Sequence, residues 1–240
     1  MNVSGSLLFM GTGGSMGIPM IGCDCEVCTS PSPYNNRLRP SALLKINNKQ
    51  ILIDASPDHR TQALKHKIKH IDGVILTHAH HDHTAGLDDL RVYYLFSKKS
   101  IPVLVSKETA EEIKLRFAYM FVEQPSEIKL VPRLTLIELP KDKGVIDFLE
   151  IPIRYFSYNQ LDMKITGLRI GDFAYVTDIK RYSQDIFDEL KGVKTLVISA
   201  LRFTSSHMHL TVDEAVDFAS KVGAEHTWLT HIAHELDYEK

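Results

Sequence analysis

Cysteine is scarce in this chain and confined to one short stretch: three residues in 240, all between Cys23 and Cys28. An odd, clustered set makes a poor disulfide framework and a good metal half-site. A surplus of either charge is also missing, with 28 basic residues against 30 acidic ones and a net charge of −2. No overall positive field is therefore available to gather nucleic acid. No apolar run approaches the roughly 20 residues that cross a bilayer. The first residues lack a basic region followed by a cleavable apolar segment, so no signal peptide is expected, and a cytoplasmic location is. Repeats and low-complexity tracts are absent too. What remains is a 44% hydrophobic sequence, enough for one sizeable core, with strand-like and helix-like stretches alternating. That pattern predicts a single α/β domain over 1–240.

One string stands out. His78, Ala79, His80, His81, Asp82 and His83 read HAHHDH, after the apolar run Gly73 to Leu76 and before a helix-like stretch from Thr84 to Phe96. On a helix, His78 and His80 would diverge by about 200°. At a strand end, period-2 alternation puts both rings on one side. Imidazoles and a carboxylate crowded so closely are costly to bury without a cation to face their lone pairs. Nitrogen and oxygen donors suit zinc, manganese or iron.

Around this string the chain alternates apolar runs with turn signals. Strands are predicted at Ser6–Met10, Ser41–Ile46, Gln50–Asp54, Pro102–Val105, Leu134–Leu139, Phe148–Phe156, Lys164–Ile170, Asp172–Val176, Thr195–Leu201 and His226–Thr230. Helices are predicted from Pro57 to Lys67, from Lys107 to Phe121, and after Thr211, whose Glu214 completes a capping-box pattern. The glycine-rich GTGGSMG from Gly11 to Gly17 could present backbone N–H groups to an anion, or be a turn. Asp54 and Asp58 are candidates to orient ligand imidazoles, or to serve as turn and cap residues, and His59 approaches the same sheet end. Tyr93, Tyr94 and Phe96 read as core packing. Asp178, His207, His209, His231 and His234 are further candidates downstream, and Arg202 suits either a phosphate contact or a salt bridge. A histidine brought by a loop, as His207 and His209 are, suits proton donation better than direct ligation.

HxHxDH at a strand end, the longer HAHHDHTAGLDDLR, GTGGSMGIPMIGCDCEVC near the start and LTHIAHELDY near the end together resemble the metallo-β-lactamase superfamily. Within it they resemble the branch that includes phosphoribosyl 1,2-cyclic phosphate phosphodiesterase. The similarity runs from Gly11 to Tyr238. It implies an αββα sandwich, two mixed sheets with helices on the outer faces. It also implies two divalent cations, zinc or manganese: His78 and His80 on the first, Asp82, His83 and His231 on the second, Asp178 bridging. Asp82 and His209 carry the catalytic roles, with a metal-bridging hydroxide attacking phosphorus and His209 protonating the leaving group. Cys23, Cys25, Cys28 and His234 would form a structural zinc site on an N-terminal loop at about 20–30. The implied partner is a small or cyclic phosphodiester, with membrane excluded, nucleic acid disfavoured and a homodimer left open.

The chain departs from that pattern once. The family places another histidine between the HxHxDH string and the bridging aspartate, and YFSYNQLD, from Tyr155 to Asp162, holds none. Asn159 is the leading substitute by position, with Tyr158, Gln160 and Asp162 as others. Against the phosphodiesterase stand a tRNA 3′-processing endonuclease, a thioester or lactone hydrolase of the same fold, and a non-catalytic relative with an altered first metal site.

Overall fold

Short apolar runs ending in polar, often histidine- or aspartate-bearing turns set the architecture. The computed structural model describes residues 5–121 and 132–240. β1 (Gly5–Gly11), β2 (Ser41–Ile46), β3 (Lys49–Ile53), β4 (Gly73–Ile75), β5 (Ile101–Val105) and β6 (Leu134–Glu138) form a six-stranded sheet in that spatial order. β2 and β3 are antiparallel, joined through Asn47 and Asn48 at φ 48° and 61°. Asparagine tolerates the left-handed region that a tight hairpin of this hand requires. From β3 to β6 the strands run parallel. Both alternating sets of side chains are buried along β2 to β5, which is why these strands read as continuous apolar runs.

Five helices accompany this sheet: α1 (His59–Lys65), α2 (His81–Thr84), α3 (Arg91–Ser97), α4 (Lys107–Arg116) and α5 (Ala118–Phe121). Tyr93 of α3, Ala110 and Ile113 of α4 and Met120 of α5 share a core with Leu43, Leu52, Val74 and Val103. Ser106 caps α4 by accepting from the Thr109 amide at 3.2 Å.

A second six-stranded sheet contains β7 (Lys143–Phe148), β8 (Ile151–Gln160), β9 (Met163–Ile170), β10 (Phe173–Val176), β11 (Thr195–Ser199) and β12 (His226–Thr230), ordered β12-β11-β10-β9-β8-β7. β7 to β10 form an antiparallel meander, and β10 to β12 run parallel. α6 (Ile186–Glu189) and α7 (Val212–Val222) accompany it. Thr211 and Glu214 make the expected capping box, and α7 packs Ala215, Phe218 and Ala219 against Val176, Leu196 and Ile198. Two mixed sheets with helices are the metallo-β-lactamase architecture that the motifs imply. The chain divides into two compact units, Val3–Met10 with Ser41–Lys141, and Gly11–Pro40 with Asp142–Lys240.

Local structure differs from expectation in four places. β7 is a strand in the gap between the strands predicted at Leu134–Leu139 and Phe148–Phe156, because its partner β8 supplies the ladder its polar sequence does not advertise. The helix predicted over 84–96 is α2, a 3₁₀ segment Ala85–Leu90, and α3. Gly86 sits in that 3₁₀ segment against the Ser56 carbonyl, where a Cβ would clash with the carbonyl and stand only 2.9 Å from His59 Cβ. The helix predicted over 107–121 breaks at Phe117 into α4 and α5. Of the three aromatics near α3 only Tyr93 is buried, and Phe96 is 85% exposed. Among the described residues no helix is long and apolar enough to cross a membrane.

Candidate metal centre

Parallel strands deliver their loops to one end of a sheet, and ligand sites in α/β folds form at those carboxyl ends. In the first unit, Asp54 follows β3 directly and the HAHHDH string follows β4. Asp54 has φ 60°, a left-handed backbone that costs free energy outside glycine and is held by its surroundings. Its carboxylate is fully buried and accepts three hydrogen bonds: from the Thr77 amide at 2.8 Å, the Thr77 hydroxyl at 2.8 Å and His83 Nδ1 at 2.7 Å.

These bonds fix the imidazole tautomers. A carboxylate only accepts, so the His83 proton sits on Nδ1 and its Nε2 presents a lone pair. The Thr77 hydroxyl has one proton, given to Asp54. It must therefore accept from His78 Nδ1, which lies 2.9 Å away, so His78 Nε2 is also a lone pair. His80 Nδ1 stands 2.9 Å from that Nε2, and Asp82 Oδ2 lies 3.4 Å from His83 Nε2. The His78 and His83 rings are 4.1 Å apart. The strand end itself is pinned: Arg116 donates to the Ala79 carbonyl and the Thr84 hydroxyl to His80 O at 2.9 Å. Asp54 thus fixes the orientation of the His83 imidazole. Asp58 stands at the N-cap position of α1 without a side-chain capping bond. His59 turns away into the helices, 3.2 Å from the Tyr93 hydroxyl, and burial lowers its pKa to about 4.

The second unit repeats the logic. Asp178 follows β10 and His231 follows β12, with φ 57° and 58°. Thr177 donates to Asp178 Oδ1 at 2.7 Å, and Tyr158 OH donates to the Thr177 carbonyl at 2.7 Å. Asp178 Oδ2 lies 3.3 Å from His231 Nε2 and 3.9 Å from His209 Nδ1, and the two rings stack at 4.6 Å. One donor atom each from Asp178, His209 and His231 falls within 4.8 Å of the others, a spacing that could hold a metal ion. Ser206 organises the loop carrying His209, accepting from the Met208 and His209 amides at 3.1 and 3.4 Å. A cavity of about 390 Å³ opens beside His209, walled by Met16, Met20, Leu201, Arg202 and Ile232 among others.

Cys23, Cys25 and Cys28 gather around His234, with Sγ to Nδ1 distances of 3.3, 3.3 and 3.6 Å. Zinc–sulfur bonds near 2.3 Å and zinc–nitrogen bonds near 2.0–2.1 Å give a tetrahedral edge of about 3.5 Å, so the four donors fit a zinc ion. Backbone N–H groups already serve the sulfurs, Cys28 N toward Cys25 at 3.5 Å and Met20 N toward Cys28 at 3.3 Å. The Cys28 amide, with His234, holds the Cys25 thiol down at about 6. Burial, reinforced by the neighbouring thiols, pushes Cys28 up to about 11.

Several sequence expectations shift. Asn159 is exposed, its backbone bridged to Arg181, and strand alternation sends Gln160 to the buried side instead. Gln160 is 1% exposed, with Nε2 3.5 Å from Asp178 Oδ2. Tyr158 is committed to Thr177, Asp162 is exposed, and so is His207. Arg202 pairs with Glu235 at 3.1 Å. The amides of Gly13, Gly14 and Gly17 bond to Leu38, Ile232 and Gly14 carbonyls, so the glycine segment ties the chain to the exit of β12 rather than offering those three donors to an anion. Thr77, Thr177 and Arg116 have no signature in the sequence beyond adjacency to, or reach towards, the residues they hold.

The β-lactamase superfamily domain pattern matches residues 49–232, and the chain belongs to that superfamily of metal-dependent hydrolases. Among curated relatives it is 35% identical to an octanoyltransferase of Porphyromonas gingivalis over 95% of this chain, though it spans only 46% of that protein's length. It resembles the crystal structure of a new diphosphatase from the PhnP family with 33% identity and a TM-score of 0.89, over 98% of this chain and 90% of that one. Zn²⁺-bound PqqB from Methylobacterium extorquens shares the fold, at 17% identity and TM-score 0.73 over 96% of this chain and 90% of that one.

Proposed function

We propose that the protein is a metal-dependent phosphodiesterase acting on a cyclic or otherwise small phosphodiester in the cytoplasm. His78 and His80 would hold one cation and Asp82, His83 and His231 the other, with Asp178 available to both. The observation that carries the reading is the tautomer lock: Asp54 and Thr77 hold His83 and His78 with Nε2 lone pairs outward before any cation arrives. Such pre-orientation is the outer-shell support that metal sites use. Two divalent cations held there would neutralise phosphoryl oxygens and make a coordinated water acidic near neutral pH.

The chain's own groups supply the rest. His209, at the cavity wall and 3.9 Å from Asp178, carries the proton that the departing alkoxide takes up. The cavity accepts the substrate's organic arm, and its volume of about 390 Å³ suits a small molecule. Cys23, Cys25, Cys28 and His234 would hold a zinc ion with four protein donors, as a staple rather than a reaction centre. The kinship to a diphosphatase at 33% identity supports phosphorus as the reacting atom.

The test sets bis(p-nitrophenyl) phosphate beside a thioester and a lactone, after chelation and again after adding manganese or zinc. Metal-restored phosphodiester hydrolysis with idle acyl substrates is expected. Turnover of the acyl substrates alone would overturn the reading.

A further inference from the structure

Gln160 ends β8 on its buried side, paired in the ladder with Met163, and its amide reaches the Asp178, His209 and His231 group. Its neighbours do not satisfy it. The amide nitrogen lies 3.5 Å from Asp178 Oδ2, long for a hydrogen bond to a carboxylate. It stands 3.2 and 3.1 Å from the two ring nitrogens of His209, facing the edge between them rather than one lone pair. Its oxygen is buried and has no hydrogen-bond partner among the described residues. A buried carbonyl oxygen without a donor is disfavoured unless another electrophile completes it.

Turning the amide about its last torsion exchanges the two ends and moves nothing else. The oxygen then faces Asp178 and His209, beside the carboxylate that the proposed function gives to both cations. We propose that the Gln160 amide oxygen is a metal ligand beside Asp178, and that it biases this position towards manganese over zinc. Amide oxygen is a harder donor than imidazole, and oxygen-rich sets suit manganese. A donor role is the competing one, in which the amide N–H merely steadies the carboxylate. This inference rests on the metal-dependent reading above.

The experiment is a manganese titration followed by the EPR signal of the free ion, on full-length protein whose cysteine site keeps its zinc. Wild type should bind manganese, Gln160→Leu at least tenfold more weakly, and Gln160→Glu at least as tightly. Gln160→His should move the preference to zinc in competition. Gln160→Glu also separates the two roles, since a carboxylate can ligate but cannot donate and would repel Asp178. It keeps the test alive should the leucine variant fail to fold. Unchanged affinity in Gln160→Leu, or lost binding in Gln160→Glu, overturns the ligand assignment alone. If wild type binds neither manganese nor zinc beyond the cysteine site, the inference and the metal-dependent reading fall together.

Discussion

Replacing Asp54 by asparagine should damage the metal centre while leaving the fold standing. In the native protein one carboxylate oxygen accepts from the Thr77 amide, and the other from the Thr77 hydroxyl and His83 Nδ1. Asparagine can keep only its oxygen as an acceptor, and the Thr77 amide claims it. The new NH₂ then faces the Thr77 hydroxyl, which can accept, and His83 Nδ1, which can accept only by moving its proton to Nε2. His83 would present an N–H where it now presents a lone pair. Outer-shell changes of this kind lower metal affinity about 10–100-fold, or about 1.4–2.8 kcal/mol. Losing one charge-assisted bond costs a further 1.5–3 kcal/mol or so of fold stability. Chelator competition reads the affinity, and imidazole ¹⁵N shifts of metal-free protein read the tautomer. An asparagine variant that binds metal within twofold of wild type, with His83 still protonated on Nδ1, would refute the reasoning.

Burial lowers the His59 pKa from 6.5 to about 4, so the folded protein keeps it neutral while the unfolded chain takes up a proton. Its contribution is present above pH 6.5 and disappears as pH falls towards 4, about 3 kcal/mol in all. His59→Phe should flatten that part of the stability profile in urea titrations between these limits, and an unchanged slope would exclude His59 as its source. Gly86→Ala would drive a methyl into the Ser56 carbonyl and cost about 1–3 kcal/mol by the same titration. His209→Ala should abolish phosphodiester turnover with metal content unchanged. If both fall together, His209 is a ligand and the proton-donor role is wrong.

How much could be read from residues alone varies with the range of the signal. HAHHDH is legible because its period-2 spacing, strand context and donor types agree, and the Cys23–Cys28 cluster because thiols so close have few other uses. Asp54 is legible as a strand-end acid, but its bond to His83, 29 positions on, is a product of β3 and β4 lying side by side. Asn159 and Gln160 are indistinguishable by position, since one residue of register decides which side chain is buried. β7 hides in a polar sequence because its partner β8 supplies what its composition lacks. Phe96 lies three residues after Tyr93 in the same helix, but in the last turn of α3, where it meets solvent.

Elemental analysis of protein purified without added metal tests the central claim most directly. A two-cation centre plus a zinc staple predicts about three metal ions per chain, falling by one when Cys25 is replaced by serine. A single ion that vanishes with Cys25→Ser, and no uptake after dialysis against manganese or zinc, would contradict it.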